Sequence, residues 1–156
     1  MKSPQNDYLK FWRVIRYYMK SKYQVSQADL DIVLFLYSEG YFGEDRFNEF
    51  AELVTWEVHR FERLRRDGWI ELFRRKTTTR KALYQLTNKA RNMVFDIYRK
   101  LNGEEIPSSL SANKMFHKNV CYNDKVYRNM IIQMNAYQKA NPYRTPKIQT
   151  KEEEDD

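Results

Sequence analysis

The chain of 156 residues holds one cysteine, two histidines, four glycines and four prolines. A lone Cys121 builds no internal disulfide framework and fits a reducing compartment. So few glycines leave no phosphate-cradling loop: neither G-x-x-x-x-G-K nor G-x-G-x-x-G occurs. No apolar run approaches the ~20 residues that cross a bilayer. The start, MKSPQNDYLKFW, lacks the apolar stretch of a secretory signal. A soluble cytoplasmic chain with no membrane partner is therefore expected. His117 and Cys121 have a spacing that clips a metal on a helix, but no second His/Cys pair completes a tetrahedral zinc set. Neither a metal nor a cofactor is expected. No Ser/His/Asp or Cys/His arrangement has the context of a catalytic site, and Glu44-Asp45 and Glu104-Glu105 read as caps or solvated charge. The expectation is that the protein is not an enzyme.

What is present is apolar bulk and positive charge. Hydrophobic residues make up 42% and aromatics 15%, enough for a core, and the formal net charge is +7. The charge is uneven: the last six residues, KEEEDD, carry −4, so residues 1–150 carry +11. Residues 142–156 read as a disordered acidic tail, serving solubility or competing with nucleic acid for a basic face.

Periodicity organises the rest. Tyr8, Phe11, Trp12, Ile15, Tyr18 and Met19 recur at helical spacing, which predicts a helix over 6–21. Ser26 reads as the N-cap of a second helix with Leu30, Val33, Leu34 and Tyr37 on one face, ended by Gly40. A short helix over 44–50 follows, with Phe47 and Phe50 inward. The next helix runs over 55–67, with Thr55 as N-cap, Val58, Phe61 and Leu64 as its apolar stripe, and Gly68 as its stop. The period then drops to two: 69–73 and 82–86 read as paired strands around a basic tip. Thr87 caps a helix bearing Ala90, Met93, Val94, Ile97 and Leu101. A loop with one helical turn near 114–116 leads to a last helix, capped by Asn123 and carrying Val126, Tyr127, Met130, Ile131, Met134 and Tyr137. The fold class is mainly α with a small β-hairpin, a winged helix-turn-helix with extra N- and C-terminal helices. Its parts are an N-terminal helix (1–24), a winged helix (25–103), a loop plus C-terminal helix (104–141) and the tail (142–156).

In a winged helix the second helix of the helix-turn-helix enters the major groove and the hairpin reaches beside it. Thr55, Trp56, His59, Arg60 and Arg63 form the outward face of the 55–67 helix and are its candidate groove contacts. Arg74, Arg75, Lys76, Arg80 and Lys81, on the 74–81 tip, are candidate contacts to phosphates or the minor groove. The window Thr55–Lys81 has nine Lys/Arg and four Asp/Glu, a net of +5. A basic helix face alone also fits simple solvation, and Trp56 equally fits packing on the preceding helix. Five bases and no acid within Arg74–Lys81 are harder to explain without an anionic partner.

Phe61 to Ile70, Arg80, and Leu86-Thr87-Asn88-Lys89-Ala90 together resemble the winged helix of MarR-type transcriptional regulators. The likeness runs from about Val25 to Leu101 and departs from the family at Thr78 and Ala90. It implies a homodimer, formed by the N- and C-terminal helices, on a pseudo-palindrome in double-stranded DNA. The short, basic, Tyr- and Asn-rich style also resembles small bacteriophage winged-helix proteins. No small-molecule ligand follows from the residues. The leading expectation is a DNA-binding transcriptional regulator. The alternative is a winged-helix protein-interaction module on a polymerase, replication or virion assembly, with RNA binding ranked third.

Overall fold

The computed structural model describes residues 8–141; the helix start expected at residue 6 and the acidic tail over 142–156 lie outside the described residues. Six α-helices and one hairpin follow in the order α1 (Tyr8–Tyr23), α2 (Gln27–Glu39), α3 (Glu44–Ala51), α4 (Arg60–Arg66), β1 (Ile70–Arg74), β2 (Leu83–Leu86), α5 (Asn88–Leu101) and α6 (Tyr122–Ala140). A single 3-10 turn, Lys114–Phe116, precedes α6. The order from α2 to α5 is that of a winged helix-turn-helix, with α1 and α6 added at its ends.

The local chemistry explains most boundaries. Ser26 accepts a side-chain bond from the Asp29 amide and Thr87 one from the Ala90 amide, so both expected caps form. Gly68 sits at φ +82° after α4, where Trp69 N–H reaches the Leu64 carbonyl and Gly68 N–H the Arg65 carbonyl. That is a Schellman stop, which favours glycine at the left-handed position. β1 and β2 pair antiparallel from Ile70↔Leu86 to Arg74↔Leu83, with a bulge at Phe73. Phe42 and Tyr84 exchange both backbone bonds, adding a one-residue rung to the hairpin.

One core runs through all elements. From α1 come Phe11, Val14, Ile15, Tyr18 and Met19, an i, i+3, i+4, i+7, i+8 stripe laid on α5 and α6. In α2 the buried set is Leu30, Ile32, Val33 and Leu36, more than one face, because the helix lies between α5, α3 and β2. The expected inward Leu34 and Tyr37 are half-buried. Asp96 of α5 is buried and meets Lys22 at 2.7 Å, the Tyr23 hydroxyl at 3.1 Å, Arg99 at 3.3 Å and Lys100 at 3.4 Å, tying α1 to α5.

The C-terminal part departs from expectation. The cap of α6 is Cys121, not Asn123, and the helix begins two residues earlier; Asp124 takes the hydroxyl of Tyr17 and Tyr127 stacks on the Tyr17 ring at 3.9 Å. The buried line of α6 is Ile131, Met134 and Gln138, with Val126 and Tyr137 exposed at its edges. The preceding loop is ordered by two asparagines. Asn135 bonds both the amide and the carbonyl of Ile106, and buried Asn113 bonds the Met115 amide and the Pro107 carbonyl. These bonds satisfy backbone groups that no helix or strand serves.

Candidate nucleic-acid interface

α3, the turn over 52–59 and α4 form the helix-turn-helix. Phe47 of α3 meets Phe61 of α4 edge-on at 4.9 Å, and Phe61 meets Tyr84 of β2 at 5.0 Å, so the helix pair and the hairpin share one aromatic seam. Arg46 clamps α3 externally, bridging Glu39 at 2.8 Å and Glu49 at 2.6 Å.

The helix expected over 55–67 is shorter than its sequence pattern. Its regular part is Arg60–Arg66, the cap residue is His59 with no side-chain bond, and Thr55 caps nothing. Val58, expected inward, is 68% exposed. A charge network accounts for the difference. Glu57 accepts Arg63 Nε at 2.8 Å and Nη2 at 2.9 Å. Residues six apart on a continuous helix point to different sides about 9 Å apart along the axis, so this forked pair requires 57–59 to leave the helix.

The same network corrects the expected outward face. Arg60 is 3% exposed; its Nε donates to Asp29 at 3.1 Å, its Nη2 lies 3.5 Å from Glu57, and its Nη1 is buried without a partner. Arg63, half-buried, donates twice to Asp29, at 2.7 and 3.0 Å, besides its two bonds to Glu57. Arg60 and Arg63 are thus matched by Asp29 and Glu57, and they tie α4 to the first turn of α2. Hydrogen bonding to Arg63 holds the Glu57 carboxyl below its ordinary range. The bonds from Arg63 to Asp29, then to Glu57, push the guanidinium up. Thr55, Trp56 and His59 remain exposed, Trp56 at 76%.

Two further cations of α4 lie outside the expected set. Arg66 points outward, 73% exposed, with Asp67 at 3.3 Å as its pair. Arg65 lies over the Tyr84 ring at 5.0 Å. Counting the helical phase from Phe61 and Leu64 places Arg66 on the side opposite the core.

The wing divides its five bases. Arg74 is half-buried, donates to the Lys81 carbonyl at 3.1 Å and keeps a buried Nε without a partner. Lys81 is exposed and reaches Asp45 of α3 at 2.7 Å, a bond that lowers the Asp45 carboxyl. Between them Thr77 and Arg80 close the tip, Thr77 N–H to the Arg80 carbonyl at 2.9 Å and Arg80 N–H to the Thr77 hydroxyl at 3.1 Å. The side chains of Arg75, Lys76 and Arg80 are exposed and pair with no carboxylate among the described residues.

Elsewhere, Cys121 is exposed at the start of α6, and among the described residues no group of three or more His, Cys, Asp or Glu could hold a metal ion. No helix among the described residues is long and apolar enough to cross a membrane.

No family model matches the chain, and no curated protein matches it. A solved structure of a MarR-family transcriptional regulator from Silicibacter pomeroyi is similar at 14% identity, covering 87% of this chain and 88% of that one, with a TM-score of 0.41.

Proposed function

We propose that the protein is a DNA-binding regulator of transcription. The observation that supports this best is the wing tip, where Arg75, Lys76 and Arg80 stand exposed with no carboxylate of the described residues against them. A tip of like charges repels itself until an anion arrives, and a phosphate backbone is an extended anion of matching sign. In this reading Arg75, Lys76 and Arg80 contact phosphates or the minor groove, with Arg74 and Lys81 holding the base of the wing. Thr55, Trp56, His59 and Arg66 face the major groove, with Arg63 at its edge. Arg60 holds the helix in place from behind. The protein acts as a homodimer on two half-sites. A groove of about 340 Å³ between α1, α2 and α5, walled by Leu9, Trp12, Leu34, Val94 and Ile97, offers apolar surface for a partner copy, and Leu9 is 88% exposed. The single cysteine fits work in a cytoplasm.

Selection of bound duplexes from a random pool, followed by affinity at two salt concentrations, tests the proposal. A preferred site with Arg75→Gln/Arg80→Gln lowering the salt slope by about 1.8 is the expected result. No preferred duplex, with a slope untouched by the double variant, defeats it. The protein-interaction reading also has one observation behind it: Leu53 is 75% exposed, Trp56 76% and Val58 68%, all in one turn. A saturable protein partner lost on Trp56→Ala, together with that second outcome, selects it.

A further inference from the structure

A second cationic surface lies away from the helix-turn-helix and the hairpin. Between α1 and the first half of α6 runs a groove of about 610 Å³ whose walls include Arg13, Arg16 and Lys20 on one side and Tyr17, Tyr122 and Tyr127 among them and opposite. Most cations around the core are matched: Lys22 and Lys100 by Asp96, Arg46 by Glu39, Arg63 by Asp29. In the groove they are not. Arg16 and Lys20 make no ion pair among the described residues, and Arg13 donates only to the Tyr127 hydroxyl, at 3.2 Å. Two carboxylates lie near. Asp31 feels Arg16 and Lys20 without pairing with either, and Asp124 is engaged by Tyr17. Tyr17 and Tyr127 stack face to face on each other, with an interplanar angle of 7°, which fixes both rings and leaves one face of each for a base, and Tyr122 stands 78% exposed beside them. At the α6 end of the groove the leading amides have no side-chain acceptor from Cys121, and Asp124 in the first turn offsets their positive charge.

We infer that this groove binds a single-stranded nucleic-acid segment, with the α1 cations on its phosphates and the tyrosines against its unpaired bases. Cations tracking a backbone beside rings that stack on any base is how single strands are held without sequence preference. A duplex keeps its base faces inside the stack and leaves the tyrosines without work. A simple anion uses the cations but not the rings. The inference stands apart from duplex binding by the wing, since the groove shares no residue with it.

The test uses the whole chain and a labelled oligothymidylate of about twelve nucleotides, read by fluorescence anisotropy at two salt concentrations. Saturable binding is expected. Tyr122→Ala weakens it about ten-fold and Tyr122→Phe keeps it, as stacking requires. Arg16→Gln/Lys20→Gln lowers the salt slope by about 1.4, more than Arg75→Gln/Arg80→Gln does, and the loss persists when the two pairs of changes are combined. Thymidine monophosphate competes poorly, because it offers one base and one phosphate. The inference is overturned by any of four outcomes: no saturable binding, no effect of Tyr122→Ala and the groove pair, an equal loss in the wing variant, or displacement by the mononucleotide at concentrations like those of the oligomer. Circular dichroism confirms the fold of each variant; Tyr122 is so exposed that its removal leaves the core intact.

Discussion

Asp29→Asn is the sharpest perturbation available, because the buried carboxylate of Asp29 serves two arginines at once. It is 3% exposed and accepts Arg60 Nε at 3.1 Å and Arg63 at 2.7 and 3.0 Å. Neutralising it leaves the buried Arg60 guanidinium with only Glu57 at 3.5 Å, and one Arg60 nitrogen already lacks a partner. Breaking a buried pair from one side costs about 3–5 kcal/mol, since a charge is left without compensation. Arg63 is half-buried and can turn toward water, so it adds little. The Ser26 cap bonds the Asp29 amide, not its side chain, and survives the change. Against a total of roughly 5–15 kcal/mol the loss is large, and at ~2–4 °C per kcal/mol for a chain of this size it lowers Tm by about 6–20 °C. Urea unfolding followed by circular dichroism measures it, with the m-value unchanged. A loss under about 1 kcal/mol refutes the reasoning. A second arm isolates the cause: adding Arg60→Met removes the stranded charge and should restore most of the stability. If the double variant is as unstable as the single, shape and not charge sets the cost.

Three further outcomes follow from the same geometry. Arg66→Gln should weaken duplex binding on all sequences at unchanged Tm, whereas Arg60→Gln should lower Tm first; the reverse pattern means that the inward and outward faces of α4 are misassigned. Burial alone would raise the Asp96 carboxyl, but the Lys22 hydrogen bond and the charges of Lys100 and Lys22 outweigh it and hold it below the ordinary range. Its contribution is therefore complete above the ordinary carboxylate pKa and lost as pH falls through the lower folded value. The urea midpoint should drop in acid for the wild type, with a shallower drop for Asp96→Asn; parallel pH profiles refute this. Gly68→Ala meets no atom within 4 Å but must hold φ +82°, so a loss of about 1–2 kcal/mol is expected from backbone strain alone, and a neutral result removes the left-handed requirement.

The sequence pattern was most legible where one local signal decides the outcome. Ser26, Thr87, Gly40 and Gly68 all act where their chemistry places them, and the strands expected over 69–73 and 82–86 form at Ile70–Arg74 and Leu83–Leu86. Legibility failed where a partner far along the chain decides. Nothing local marks Arg60 as buried, because its reason is Asp29, thirty-one residues earlier. The start of α4 moved because Glu57 and Arg63 pair across a broken turn, and helical periodicity counts apolar residues only. Cys121 replaces Asn123 as the cap because Tyr17 on α1 draws Asp124 and Tyr127 into place. Gln138, buried with both side-chain polar atoms unbonded, sits on an apolar line that no hydrophobic pattern would extend to a glutamine.

Glu57 shows how positive charge near the candidate interface is withheld. The window Thr55–Lys81 carries +5 by count, but Arg60 and Arg63 are cancelled by Glu57, inside it, and by Asp29, outside it, and Arg66 is paired with Asp67, so what it presents is concentrated at the wing tip. If DNA lies along α4, the Glu57 carboxylate faces phosphates and opposes binding. Glu57→Gln removes that charge while Arg63 stays held by Asp29 through two bonds. The lost Glu57–Arg63 pair is part-exposed and worth only about 0.2–1 kcal/mol to the fold, and Arg60, which Glu57 meets at 3.5 Å, keeps its bond to Asp29. Affinity for any duplex should therefore rise, and the salt dependence should steepen by about 0.9 as Arg63 gains a phosphate. The wild type gains nothing comparable from mild acid, because Arg63 keeps the Glu57 carboxyl ionised below its ordinary range. Unchanged affinity and slope in Glu57→Gln would mean that the N-terminal end of α4 does not meet the backbone. The wing would then bind alone.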